Sequence, residues 1–136
     1  MSMWPVVILG QPASGNENEI QRGYRRGKDG GNVPYSRIAK NAHVKAYIDG
    51  AIPVIRTARP SGWIPPERIR VDYRLYLSRD MDFDNVMKIV DDALKVALGV
   101  DDSRFYPTAI SKELDMQRPR VWLGIGAFVP CACCGR

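Results

Sequence analysis

From Arg68 to Ser78 the chain alternates strictly. Ile69, Val71, Tyr73, Leu75 and Leu77 are separated by Arg70, Asp72, Arg74 and Tyr76. Successive side chains of a strand point to opposite faces, so a period of two predicts a strand that is apolar on one side. Val121, Leu123, Ile125, Ala127 and Val129 repeat the pattern and predict a strand over 120–129. WPVVILG at 4–10 predicts a first strand, and residues 104–114 another. The last two strands are joined by DMQRP and are expected to be antiparallel.

Two stretches carry helical spacing instead. Over 36–50, Ile38, Ala42, Tyr47 and Ile48 can form a buried stripe, with Ser36 placed as N-cap and Gly50 as C-terminal cap. Arg37, Lys40 and Lys45 would stay wet. The second helix is expected over 84–98. Residues 11–34 lack apolar periodicity and contain QRGYRRGKDGGN, which predicts a glycine-rich basic loop. RPSGWIPPE at 59–67 predicts a proline-rich connection, with a short extra strand near 52–56. The expected fold is α+β: a single two-layer domain over 1–129, a mixed β-sheet with two main helices on one face, in the order β-α-β-α-β-β. A cysteine-containing tail follows at 130–136.

Composition narrows the function. The chain has 136 residues, 45% hydrophobic and 26% charged, enough for one packed core. Its net charge of +5 favours an anionic partner, nucleic acid first. No apolar run approaches the ~18 residues of a membrane span, and the start has no basic region of a signal peptide. A cytoplasmic protein with no membrane partner is the expectation. Cys131, Cys133 and Cys134 all fall in the last six residues, which is no disulfide framework. They are read as a reduced tail, with zinc binding or a cross-chain contact as the alternatives. His43 is the only histidine and is expected on a helix surface. A mechanism needing two histidines is excluded, so any catalysis falls to carboxylates, lysine or metal.

Acid is concentrated at one place in this basic chain. Six of the 22 residues in MDFDNVMKIVDDALKVALGVDD, residues 81–102, are aspartates. Asp82 and Asp84 stand at a strand-to-helix junction, and Asp101 and Asp102 follow the helix. One aspartate before a helix is an ordinary cap, favoured by the helix dipole, but capping needs only one side chain. If the carboxylates converge, their repulsion either raises their pKa values or recruits a cation. Oxygen ligands suit Mg²⁺ or Mn²⁺. Convergence requires the chain to return Asp102 along the helix's length. Lys88, one turn after Asp84, forms an i,i+4 pair or faces a phosphate. Asp92, a turn further, could orient Lys88, and Asp91 is read as a solvated acid.

The run Asp82-x-Asp84-Asn85-x-x-Lys88-x-x-x-Asp92-Ala93-Leu94, followed by Asp101-Asp102-Ser103, resembles the signature of RusA-type Holliday junction resolvases. Lys112 also falls where that family carries a lysine. Pro12-Ala13-Ser14-Gly15-Asn16 is similar to the family's Pro-x-Ser-x-Asn segment. The resemblance implies a small homodimeric, Mg²⁺-dependent endonuclease, bacterial or phage-encoded, that cuts four-way DNA junctions in recombination and repair. It implies Asp82, Asp84 and Asp102 as metal-binding catalytic carboxylates and Lys88 as the catalytic lysine. Asn85, Asp92, Asp101 and Lys112 would support them. Asn16 and the basic loop would lie toward DNA, with Arg22, Arg25, Arg26, Lys28, Arg37 and Lys40 tracking phosphates. The chain departs from the family pattern in a helix-to-Asp102 stretch about one residue shorter, a long Arg/Gly-rich loop and the cysteine tail. Two other readings remain open here: a non-catalytic junction-binding protein of the same fold, and a Mg²⁺-dependent hydrolase of small phosphates.

Overall fold

The computed structural model describes residues 3–14, 18–40 and 42–131, with the backbone alone at 18–21 and 37–40. The elements run β1 (Trp4–Leu9), β2 (Asn18–Arg26), β3 (Asn32–Lys40), α1 (Ala42–Ala58), β4 (Ile69–Leu77), α2 (Phe83–Leu98), a 3₁₀ turn (Asp102–Arg104), β5 (Phe105–Leu114) and β6 (Arg120–Ala127). The fold is α+β. A mixed four-stranded sheet has the order β1-β6-β4-β5, and β2-β3 form a separate two-stranded sheet.

The alternating segment becomes a central strand, as its pattern requires. Ile69, Val71, Tyr73, Leu75 and Leu77 are buried. Register aligns three cross-strand rows on that face: Trp4-Ile125-Val71, Val6-Leu123-Tyr73 and Ile8-Val121-Leu75. The helices cover these rows. Helix α2 contributes Val86, Ile89, Val90, Ala93, Leu94, Ala97 and Leu98. It ends at Gly99, whose φ of 66° is left-handed and whose N–H reaches the Lys95 carbonyl, the usual glycine stop. β1 and β4 are each antiparallel to β6, and β5 is parallel to β4. The carboxyl ends of β1, β4 and β5 therefore lie at one edge of the sheet.

Four expectations are corrected. Residues 11–34 are not a loop: 18–26 pair with 32–40 as an antiparallel hairpin. The described side chains of this ribbon, at 22–26 and 32–36, are exposed or half-buried, so they show no apolar alternation to read. Its turn is built by KDGG, with Gly30 at φ 83° and the Gly31 N–H donating to Asp29 Oδ1 at 3.0 Å.

The first helix is shifted. Ser36 is not an N-cap but lies in β3 opposite Arg22, and Gly50 is not a terminus but lies inside α1. The helix runs to Ala58 through Pro53, so no strand forms at 52–56. The buried stripe is Val44, Ile48, Ala51 and Ile55. Burial stabilises each large member by about 1.5–3 kcal/mol, which together outweighs the ~3 kcal/mol cost of an interior proline. Of the expected stripe, Ile48 is buried, Tyr47 half-buried and Ala42 exposed, while Ile38 belongs to β3.

β5 and β6 run in opposite directions but do not pair, because β4 lies between them. Ala127 is only half-buried and Val129 is exposed beyond the end of β6.

Asp91 is not a solvated acid. It is half-buried and accepts from the buried Tyr73 hydroxyl at 2.5 Å. Burial first, then the nearby Asp102 and Asp92 carboxylates, push its pKa up to about 6 from 3.8, opposed by the Tyr73 hydroxyl and Lys95. A carboxyl whose pKa rises on folding is penalised when charged. The contribution of this group to stability is full below about pH 4 and lost as pH rises through about 6. Asp91→Asn keeps an acceptor for Tyr73 and removes the charge. It is expected to stabilise the protein by about 2 kcal/mol at pH 7.5 and to converge with wild type at pH 4, measured by urea unfolding at both pH values. Equal stability at pH 7.5 would show that Asp91 is not strained by its charge.

Candidate functional site

Asp82 stands where β4 has ended and α2 begins. It is the N-cap residue, extended at φ −63° and ψ 124°, and its carbonyl accepts from the Asn85 and Val86 N–H groups. Its carboxylate makes no capping hydrogen bond and is exposed. Asp84 is exposed in the first helical turn, and Asn85 beside it is half-buried. The helix N-terminus favours negative charge there. Among the described residues, neither carboxylate has a hydrogen-bond or ion-pair partner, and no cap bond accounts for Asp82.

The loop before them is braced from two sides. The Gln11 side-chain oxygen accepts from the Ser78 N–H at 2.6 Å and the Ser78 hydroxyl at 2.8 Å. Its amide nitrogen lies 2.9 Å from the Met81 sulfur. From β5, Lys112 pairs with Asp80 at 2.8 Å and donates to the Met81 carbonyl at 3.2 Å. Lys112 holds Asp80 below the usual carboxylate range. Lys112 is therefore a positioning residue for the segment that presents Asp82. Gln11 ties the Pro12-Ala13-Ser14 segment, with Pro12 and Ala13 buried, to the same loop.

At the other end of α2 the second acidic pair divides. Asp101 caps the 3₁₀ turn, accepting from the Ser103 N–H at 2.8 Å. The Ser103 N–H, then its hydroxyl, hold Asp101 below the usual range. Asp102 is 53% exposed and lies 3.7 Å from Lys95. Lys88 is exposed on α2, and among the described residues neither it nor Asp84 forms an ion pair. Asp92 is half-buried beside Asp91 and Lys88 is exposed.

The expected convergence of Asp82, Asp84 and Asp102 does not occur within one chain. The 16-residue helix α2 separates them, about 24 Å at ~1.5 Å per residue. Among the described residues, no three His, Cys, Asp or Glu side chains gather to hold a metal. One copy offers the Asp82/Asp84 pair, part of the oxygen set that Mg²⁺ takes.

The basic residues sit on the hairpin. Arg22, Arg25 and Arg26 are exposed on β2 and Lys28 in the turn. Register places Arg22, Tyr24 and Arg26 on one face, and Tyr24 is 74% exposed. Arg37 and Lys40 belong to β3, but their side chains lie outside the described residues, as does all of Asn16. His43 is exposed on α1, and Cys131 is exposed, with Cys133 and Cys134 outside the described residues. No helix among the described residues is long and apolar enough to cross a membrane.

Sequence reading missed Gln11, Ser78, Asp80 and Lys95. Gln11 and Ser78 are 67 positions apart, and no local pattern announces such a contact. Removing the brace tests its role. Gln11→Ala is expected to cost about 1–2 kcal/mol of stability and to leave Asp82 less well placed. No family model matches this chain, and no curated protein matches it.

Proposed function

We propose that the protein is a Mg²⁺-dependent, structure-selective endonuclease that resolves four-way DNA junctions by symmetric phosphodiester hydrolysis. The observation that carries the reading is the Asp82 carboxylate: it heads a helix, makes no cap, and stands with Asp84 at the strand-end edge. The chain leaves that edge through Gln11 into the arginine-bearing hairpin. Acid for a metal and base for a polyanion thus arise from neighbouring segments, and the residues that carry the resolvase resemblance are those involved.

Asp82 and Asp84 hold the cation in this reading, and Mn²⁺ can replace Mg²⁺. The bound cation supplies an activated water and charge stabilisation at the phosphate. Lys88, exposed one turn from Asp84, faces the phosphate and offsets the charge that builds there. Arg22, Arg25, Arg26 and Lys28 hold flanking phosphates. Selection rests on the shape of the branch rather than base sequence.

Asp102 joins the set only from a second copy. β5 is an edge strand, and Ile110 (43% exposed) and Leu114 (65% exposed) lie in register with the buried Tyr73 and Leu77. Among the described residues, nothing covers that edge on the helix side. Two copies joined there about a two-fold axis, with their α2 helices antiparallel, bring Asp102 of one to Asp82 and Asp84 of the other. The two-fold symmetry of a junction matches such a dimer. A single copy, with its carboxylates apart, fits binding without cutting, which is the second reading.

The test is incubation of a synthetic four-way junction with the protein in Mg²⁺. Paired nicks at symmetric positions in opposing strands are expected. Binding with no cutting in Mg²⁺ or Mn²⁺ would move the assignment to the non-catalytic reading. In the same assay, Gln11→Ala is expected to cut about tenfold more slowly at unchanged junction affinity, since small displacements of reacting groups cost rate.

A further inference from the structure

Among the described residues, no element covers the face of the main sheet away from the helices, yet it is not an ordinary polar surface. Arginines and aromatic rings alternate across it. Arg74 and Trp122 are register partners on β4 and β6, and the Arg74 guanidinium lies 4.4 Å from the Trp122 ring centroid. One row along, Arg120 lies 3.8 Å over the Tyr76 ring. Arg68 lies 5.8 Å over Tyr106, which stacks on Phe128 at 4.8 Å. The Trp122 indole lies down on the sheet because Gly124 leaves room: a Cβ there would come within 3.0 Å of the ring. Each of these rings thus has a guanidinium within 6 Å of its centroid.

We propose that this face binds a single-stranded nucleic-acid segment. An arginine–aromatic pair offers a stacking surface that any base can use, and the guanidinium donates to phosphate. Duplex DNA keeps its base faces stacked and cannot use such a surface. The charge balance points the same way. Asp72 is engaged by Arg70 and Thr108, and Asp115 by Arg120, which leaves Glu113, beside Tyr76 on the edge strand β5, as the one other acid on this face among the described residues. Among the described residues, Arg68 and Arg74 have rings and no carboxylate as partners. A second copy of the chain seated on this face would set arginine against arginine, so the polyanion is the favoured occupant.

The surface does not depend on Asp82 and Asp84 cutting DNA, and its test is run without divalent cation. Fluorescently labelled oligothymidylate of about 20 nucleotides is titrated in EDTA, with a duplex of equal length in parallel. The expected result is that Arg68→Ala/Arg74→Ala binds the single strand about tenfold more weakly while duplex affinity changes far less. Both arginines are exposed, and circular dichroism checks that the fold is kept. Trp122→Phe keeps a ring and is expected to abolish most of the change in tryptophan emission on adding oligothymidylate. The proposal is overturned if wild type does not bind the single strand, if the double variant binds as wild type does, or if both nucleic acids weaken equally. It is also overturned if the double variant changes oligomeric state, which would make this face an interface between copies. Junction cutting is scored separately, so loss of one property leaves the other standing.

Discussion

Asp82→Asn is expected to lower the rate of four-way junction cleavage in Mg²⁺ by about 10³-fold while leaving junction affinity nearly unchanged. A ligand carboxylate is worth several kcal/mol of charge stabilisation in such a site, and each ~1.4 kcal/mol is tenfold in rate. The substitution separates function from folding. Asn caps helices as well as Asp does, and the Asp82 side chain makes no cap bond to lose. The Asp82 backbone carbonyl, which accepts from Asn85 and Val86, is untouched. Single-turnover cleavage at saturating enzyme, with affinity measured in Ca²⁺ or EDTA, reads the two effects apart. A variant that cuts at the wild-type rate would remove Asp82 from the site and, with it, the meaning given to the uncapped carboxylate.

Neutralising the hairpin is expected to have the second largest effect. Arg22→Ala/Arg25→Ala/Arg26→Ala should weaken junction binding about 100-fold near 50 mM salt and reduce the slope of log affinity against log salt by about 2.7 for three phosphate contacts. The three arginines are exposed on a ribbon paired to β3 alone, so folding of the main sheet should be unaffected. Cleavage at saturating enzyme should stay near wild type, because in the proposed function these residues hold flanking phosphates and not the reacting one. An unchanged salt slope would make the hairpin charge an ordinary solvated surface. It would also favour a hydrolase of small phosphates, which needs the same acids and no extended basic arm.

Part of this architecture is legible along the chain. Alternation over 68–78 specifies β4 and its buried face, because a one-residue slip would turn every apolar side chain outward. The stripe over 84–98 and Gly99 specify α2 and its stop. The same segment shows an excess of aspartate at both helix ends. These features are local, and each depends on neighbours a few residues apart.

Other features depend on neighbours far along the chain. The hairpin is not legible because its described side chains, at 22–26 and 32–36, are exposed or half-buried and imprint no apolar period. Helix α1 runs past Gly50, which sequence reading takes as its cap, and through Pro53, because burial of Val44, Ile48 and Ile55 outweighs the local breakers. β4 inserts between β5 and β6, although those two are joined by a five-residue link. Gln11 and Lys112 reach the loop before Asp82 across 67 and 31 positions. Asp91 reads as one more surface acid until Tyr73 is seen beneath it. The sequence by itself determined where acid concentrates in a basic chain and that it flanks the helix α2. Only the tertiary structure decided that Asp102 stands a helix length from Asp82 and Asp84, beside Lys95. Periodicity encodes the direction a side chain faces, whereas the distance between two side chains is set by the packing of every element between them.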